Sequence, residues 1–274
     1  MGRAQPPRVV AAQRTAVALA LALFLAPVAW LFSTAWKPAR DIFSFPPSLA
    51  FTPTWDNFRT IFAFFDVPQL LQNSVIISGG TTLLSLVLGV PCGYALARAR
   101  VRWAAGLAYF FLAVRMVPPV ATLIPFYLLM RDLGLLGSYG AVILLDTTLN
   151  TAFVVWMMFS WFRSVPPEIE QAAMADGATQ FGAFWRIAVP MVVPGIVASA
   201  LLCFMLSWNS FLFPAFLTTA DTKTLSVALL TAYGTKEITW GTMGALAHFS
   251  TLPIVALALV LNRYFVQGLT RGFH

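Results

Sequence analysis

Two ionisable residues stand where charge is expensive: Arg115 and Asp146 each interrupt a long, otherwise uncharged apolar stretch. A charge at the centre of a lipid-spanning helix costs about 2.5–3.5 kcal/mol on insertion scales, so one retained there marks a pathway or a specific partner. The two can pair across neighbouring helices. Alternatively, Arg115 serves a structural or gating role or faces a pore, and Asp146, about two turns inside the outer end of its stretch, faces external water. Reaction chemistry has no comparable parts. The chain has no GxxxxGK[ST] loop for a nucleotide and no HExxH helix for zinc. Its two histidines, His248 and His274, cannot build a metal cluster by themselves, and no serine stands with a plausible base. Cys92 and Cys203 lie in separate apolar stretches and read as free thiols acting as small hydrophobes. The expectation is a protein that is not an enzyme and binds no cofactor or metal of its own.

The elements that hold these residues must be membrane helices. Of 274 residues, 59% are hydrophobic and 10% charged, with a mean hydropathy of +0.80, whereas an ordinary soluble domain carries about 25% charged residues. That is too little charge to cover a water-facing surface. Six spans of about 20 residues each need roughly 120 residues, so the length accommodates six and leaves no room for a fused ATPase or binding domain. They are placed at about 15–32, 71–97, 104–130 with Arg115, 139–162 with Asp146, 192–213 and 241–262. The first apolar run is too long for the core of a signal peptide and lacks a small-x-small cleavage site, so it is read as a retained span. Gly89 and Gly93 form a GxxxG, a close-contact motif that also occurs in helix dimers.

Lys and Arg collect on the inner side of a membrane protein. Arg3, Arg8, Arg14, Arg98, Arg100, Arg102, Arg163, Arg186, Arg263 and Arg271 fall on one side, against Lys37, Arg40, Arg59, Arg131, Lys223 and Lys236 on the other. Both termini are therefore assigned to the cytoplasm. The organisation that follows is a cytoplasmic N-terminus over 1–14, a six-span domain over 15–266 with a cytoplasmic loop at 163–191, and a tail over 267–274. Clustered beside apolar runs, the net charge of +7 reflects membrane orientation and not nucleic-acid binding.

That inner loop reads RSVPPEIEQAAMADGATQFGAFWRIAVPMVVPG and has the punctuation of two short helices. Ser164 is placed to cap, Pro166 and Pro167 suit a first turn, and Glu168 and Glu170 favour the positive end of the helix dipole. Gly177 permits the left-handed residue that ends a helix, and a second helix runs from about 179 to 188. Ile169, Ala172, Ala173 and Asp176 share one face by their i, i+3, i+4, i+7 spacing. The face is small, which suits insertion into a partner's cleft.

Spacing and letters together resemble the cytoplasmic loop of binding-protein-dependent ABC importers: EAA, three residues, Gly, nine residues, Ile, one residue, Leu, Pro. Here Gln171, Ala172 and Ala173 precede Gly177 by three residues, and Ile187, Ala188, Val189 and Pro190 follow after nine more. Gln171 replaces the Glu and Val189 the Leu. Further stretches, RMVPPVATLIPFYLLMRDLGLLGSYGAVIL, SWNSFLFPAFLT and RYFVQGLTRG, are similar to carbohydrate-type permeases, in particular the maltose-type six-span subunit.

The resemblance implies an all-α polytopic fold of the type I ABC importer permease in a bacterial inner membrane. It implies a second related permease as heterodimer partner, two ATP-binding-cassette ATPases that carry the ATP and Mg, and an external substrate-binding protein or lipoprotein that delivers a sugar or sugar derivative. The ATPase-coupling residues would be Glu168, Glu170, Gln171, Ala172, Ala173, Asp176, Gly177, Ile187 and Pro190, and the tail would reach the ATPase interface. Substrate-path candidates are Arg115, Asp146, Asn150, Trp208 and Asn209. Sugars are held by polar groups on hydroxyls and aromatic faces on the ring, although Asn also serves helix–helix contacts. A self-sufficient secondary transporter or channel for a small polar solute is the competing reading. It requires inverted halves and ion-coupling charges near the midplane.

Overall fold

The computed structural model describes residues 7–48, 50–99, 101–231 and 239–271. Arg3, Arg100, Lys236 and the last three residues of the tail lie outside the described residues, as do the side chains of 267–271. Helices follow one another as α1 (Pro7–Thr34), α2 (Ala39–Ile42), α3 (Asp56–Phe64), α4 (Val67–Arg98), α5 (Ala104–Val114), α6 (Pro119–Asp132) and α7 (Tyr139–Arg163). Then come α8 (Pro167–Ala175), α9 (Gln180–Ala183), a π-helical turn (Phe184–Ala188), α10 (Val189–Met191), α11 (Val193–Trp208), α12 (Leu212–Leu217), α13 (Leu225–Thr231) and α14 (Trp240–Arg271). No strand occurs among the described residues.

Four helices are long and apolar enough to cross a membrane, and two bent pairs raise the number to six if each is one span. The third span, expected over 104–130, is built of two helices. α5 and α6 meet at 83°, with the break at Arg115–Pro118. Pro118 and Pro119 explain it: each removes a backbone donor, and a residue before proline is pushed out of the helical region. The fifth span is also reorganised, because Gln180–Met191 meets α11 at 74° and α11 ends at Trp208 instead of continuing to 213.

Two compact units are present, Met1–Asp66 with Thr231–Thr251, and Val67–Leu230 with Leu252–His274. In the first, Asn57 closes the end of α1 by donating from Nδ2 to the carbonyls of Ala35 and Lys37, 2.9 Å each. Trp36 Nε1 donates to His248 Nε2 at 3.4 Å. Lys37, counted above as an outward charge, is buried with its ammonium 3.7 Å from the Trp30 ring centroid.

In the second unit α4 lies along α7, and glycines set the approach. A Cβ at Gly89 would fall 2.6 Å from Val154 Cγ1, and one at Gly93 would fall 2.7 Å from Met158 Cβ. The GxxxG is thus spent on packing within the chain. Val90, Val154, Met158 and Phe162 form a core there with Phe184 and Cys203, which brings α11 and the π turn onto the α4–α7 pair. A second core joins Ile77, Leu145 and Phe213.

Candidate functional site

α8 begins on Pro166 and Pro167, with proline in the first turn where a missing N–H costs nothing, and carries Glu168 and Glu170 at its positive end. No side chain caps it. The expected Ser164 cap is corrected: its hydroxyl donates back to Trp161 O at 2.7 Å, a bond available one turn earlier. The C-terminal signal holds. Gly177 has φ +94°, Gly177 N donates to Met174 O at 3.1 Å and Ala178 N to Ala173 O at 3.0 Å, a Schellman ending. Thr179 then caps α9, its Oγ1 accepting from Gly182 N at 3.1 Å.

Ile169, Ala172 and Asp176 are exposed along one face of α8, with Ala173 half-buried beside them and Glu168 and Gln171 exposed. Met174 is exposed too, as are Phe181 of α9 and Trp185 of the π turn. Ile187 is half-buried and Pro190 exposed.

Glu170 departs from the coupling set. It is 3% exposed and is the one buried residue of α8. Its carboxylate accepts from Arg98 Nη2 at 2.5 Å and Nε at 3.0 Å on one oxygen, and from Tyr94 Oη at 2.7 Å on the other. An acid taken for a partner-facing residue is therefore turned inward, because α4 supplies a guanidinium and a phenol within reach. Arg98 and Tyr94 were missed as site residues. Their signal was the i, i+4 spacing of two polar residues at the end of a long apolar helix.

The mid-span candidates form a second polar centre. Asp146 does not face water: it is 3% exposed and accepts from Ser207 Oγ at 2.8 Å and Ser210 Oγ at 3.1 Å. Asn150 Nδ2 donates to Asp146 O at 2.9 Å, and Asn150 Oδ1 accepts from Arg115 Nη1 at 3.5 Å. Arg115 and Asp146 do not form an ion pair among the described residues. Arg115 instead stands half-buried in the α5–α6 break, its guanidinium 5.5 Å from the Phe153 ring centroid. The serines at 207 and 210 were not singled out by sequence.

Trp208 and Asn209, adjacent among the substrate-path candidates, part company. The Trp208 ring is buried and stacks on Phe204 with centroids 5.6 Å apart, while Asn209 is exposed just past α11 and donates to Met205 O at 2.7 Å. Consecutive residues at a helix end point in different directions, so adjacency in sequence does not make a joint surface. Among the described residues no three of His, Cys, Asp or Glu gather as metal ligands.

Residues 89–271 match the family model described as binding-protein-dependent transport system inner membrane component. The trehalose transport system permease protein SugB of Mycobacterium tuberculosis is 33% identical over 251 residues, covering 90% of this chain and 91% of that one. The sulfoquinovosyl glycerol transport system permease protein SmoH of Agrobacterium fabrum is 30% identical over 250 residues, 90% of this chain and 88% of that one. Among solved structures, a chain of a bacterial ABC transporter involved in import of the acidic polysaccharide alginate superposes with a TM-score of 0.76. Its identity is 21%, over 97% of this chain and all of that one.

Proposed function

Since the chain belongs to the inner membrane components of binding-protein-dependent transport systems, the permease subunits of ABC importers, we propose that it forms half of a pore for a sugar or sugar derivative. Membership makes the chain a transport component and not an enzyme, and it places the energy source on partner ATPases. The self-sufficient transporter is thereby set aside. In this reading a second, related permease completes the pore, two ATPases hydrolyse ATP with Mg, an external binding protein delivers the substrate, and both termini face the cytoplasm.

The observation that carries the reading is the exposed face of α8. Ile169, Ala172 and Asp176 stand out from a helix that ends on a left-handed Gly177, a small, shallow surface suited to a cleft on an ATPase. Closure of the ATPases on ATP displaces that surface and shifts the spans between inward- and outward-facing states, each favoured by different contacts. The substrate class follows from the two relatives above, one for trehalose and one for sulfoquinovosyl glycerol. Along the path, half-buried Arg115 and exposed Asn209 meet the substrate, while Asp146, Asn150 and Trp208 support the wall from inside.

Purification through a tag on this chain, with the native neighbours co-expressed, tests the assembly by mass spectrometry. A second permease and two ATPases per copy are the expected recovery. A chain recovered alone that transports in liposomes without ATP overturns it. The substrate class is tested on the external binding protein by thermal shift against trehalose, sulfoquinovosyl glycerol, amino acids and phosphate. A shift with an amino acid or phosphate and none with either sugar rejects a carbohydrate.

A further inference from the structure

α8 is a nine-residue helix whose buried side chain is a carboxylate, Glu170, instead of an apolar residue. A short helix ordinarily holds to its domain by an apolar stripe. Here Ile169 and Met174 are exposed, and the one buried side chain of the helix is the acid. That acid lies in a knot of several segments. Arg98, in the last turn of α4, grips Glu170 with Nε and Nη2 and also donates to Phe162 O of α7 at 3.0 Å and to Val165 O of the α7–α8 turn at 3.2 Å. Tyr94, one turn earlier on α4, holds the second carboxylate oxygen. Its ring packs on Phe162 and on Phe184 of the π turn, with centroids 5.2 and 4.6 Å away.

We propose that Arg98, Glu170 and Tyr94 are positioning residues for transport, forming the joint through which a displacement of α8 reaches α4 and α7. The inference rests on the docking of α8 to the ATPases stated above. Arg98 places two donors on one carboxylate oxygen and Tyr94 a third on the other, so the charge-assisted grip holds both oxygens and resists rotation as well as separation. Pro166 and Pro167 on one side and Gly177 on the other make both ends of α8 poor transmitters, since none continues a hydrogen-bonded helix. Without that three-donor grip, a pushed α8 would swivel on its turns and the spans would stay still. Glu170 thus serves coupling by facing inward, and the exposed face is left for the partner.

The test uses the complete assembly, with partner permease, ATPases and external binding protein, reconstituted in lipid. Glu170→Gln keeps the shape and much of the hydrogen bonding while removing the charge, and Tyr94→Phe removes a single donor. Two quantities are read: ATPase recovered with the tagged chain, and ATP hydrolysis with and without the binding protein as purified. For Glu170→Gln the ATPases stay bound and basal hydrolysis holds, while stimulation by the binding protein falls about tenfold, within the usual range of coupling between sites. Tyr94→Phe gives a smaller loss of the same kind and carries the test alone should Glu170→Gln fail to accumulate. Undiminished stimulation with ATPases bound overturns the joint, and so does loss of the ATPases from either variant, which would make these residues part of docking. A wild-type assembly that recovers no ATPase refutes the docking reading itself, a result distinguishable from both.

Discussion

The α8 junction and the mid-span cluster each hold an arginine and a carboxylate, and they dispose of the two charges differently. Arg98 and Glu170 meet directly, with side chains 15% and 4% exposed. Arg115 and Asp146 are kept apart by Asn150, and Asp146 takes its hydrogen bonds from two serine hydroxyls. In a direct buried pair, removing one partner leaves the other's charge uncompensated, even where Tyr94 still bonds Glu170 and two carbonyls still accept from Arg98. A relay of single hydrogen bonds through the neutral side chains of Asn150, Ser207 and Ser210 ties α7 to the α5–α6 break on one side and to the end of α11 on the other, and each bond can be exchanged singly. The junction is therefore built to hold and the cluster to be divisible.

The sharpest test of the junction's importance lies at the end of its helix. Gly177→Asp should abolish ATP-driven uptake while leaving membrane insertion intact, because φ +94° strains any side chain and the carboxylate would enter the docking face, although a Cβ there meets nothing within 4 Å. Normal uptake kinetics would remove α8 from the coupling role. Next in size, Arg98→Ala strands Glu170 and should cost about 3–5 kcal/mol, read as a large fall in unfolding temperature of the purified chain. A small fall would place the two centres on the same footing and erase the comparison. Asp146→Ala is expected to cost about 1–3 kcal/mol by leaving Ser207 and Ser210 hydroxyls without their acceptor. A cost equal to that of Arg98→Ala would show the relay to be as indivisible as the pair. Smallest is Asn209→Ala, which should shift stability by no more than about 0.5 kcal/mol at an exposed position. Its effect should appear in uptake alone, and unchanged uptake would take Asn209 off the substrate path.

Much of the fold was legible because membrane insertion imposes a one-dimensional constraint. The span expected at 139–162 is α7, Tyr139–Arg163, and the one expected at 71–97 is α4, Val67–Arg98. An uncharged stretch bounded by polar residues has few other ways to satisfy its backbone in lipid. Gly177 was legible as a helix stop for an equally local reason, the low cost of positive φ without a Cβ. The third span was harder. Pro118 and Pro119 break backbone bonds there, yet the 83° turn depends on how α5 and α6 each pack, which hydropathy does not contain.

Residue types and spacing alone specify a helical membrane protein, roughly where its helices begin and stop, and, through Ala172, Ala173, Gly177 and Pro190, the family to which its loop belongs. Those properties arise from solvent preference, backbone sterics and short-range spacing, all readable within a few turns of chain. Only the tertiary structure decided that Glu170 faces Arg98 from 72 residues away, that Asp146 faces Ser207 from 61, and that Gly89 and Gly93 admit α7 instead of a second molecule. Partner choice for a buried polar group is set by which helix faces meet. That meeting is settled by how α4, α7, α8 and α11 pack, since a charge removed from water takes whichever donors the fold brings to it.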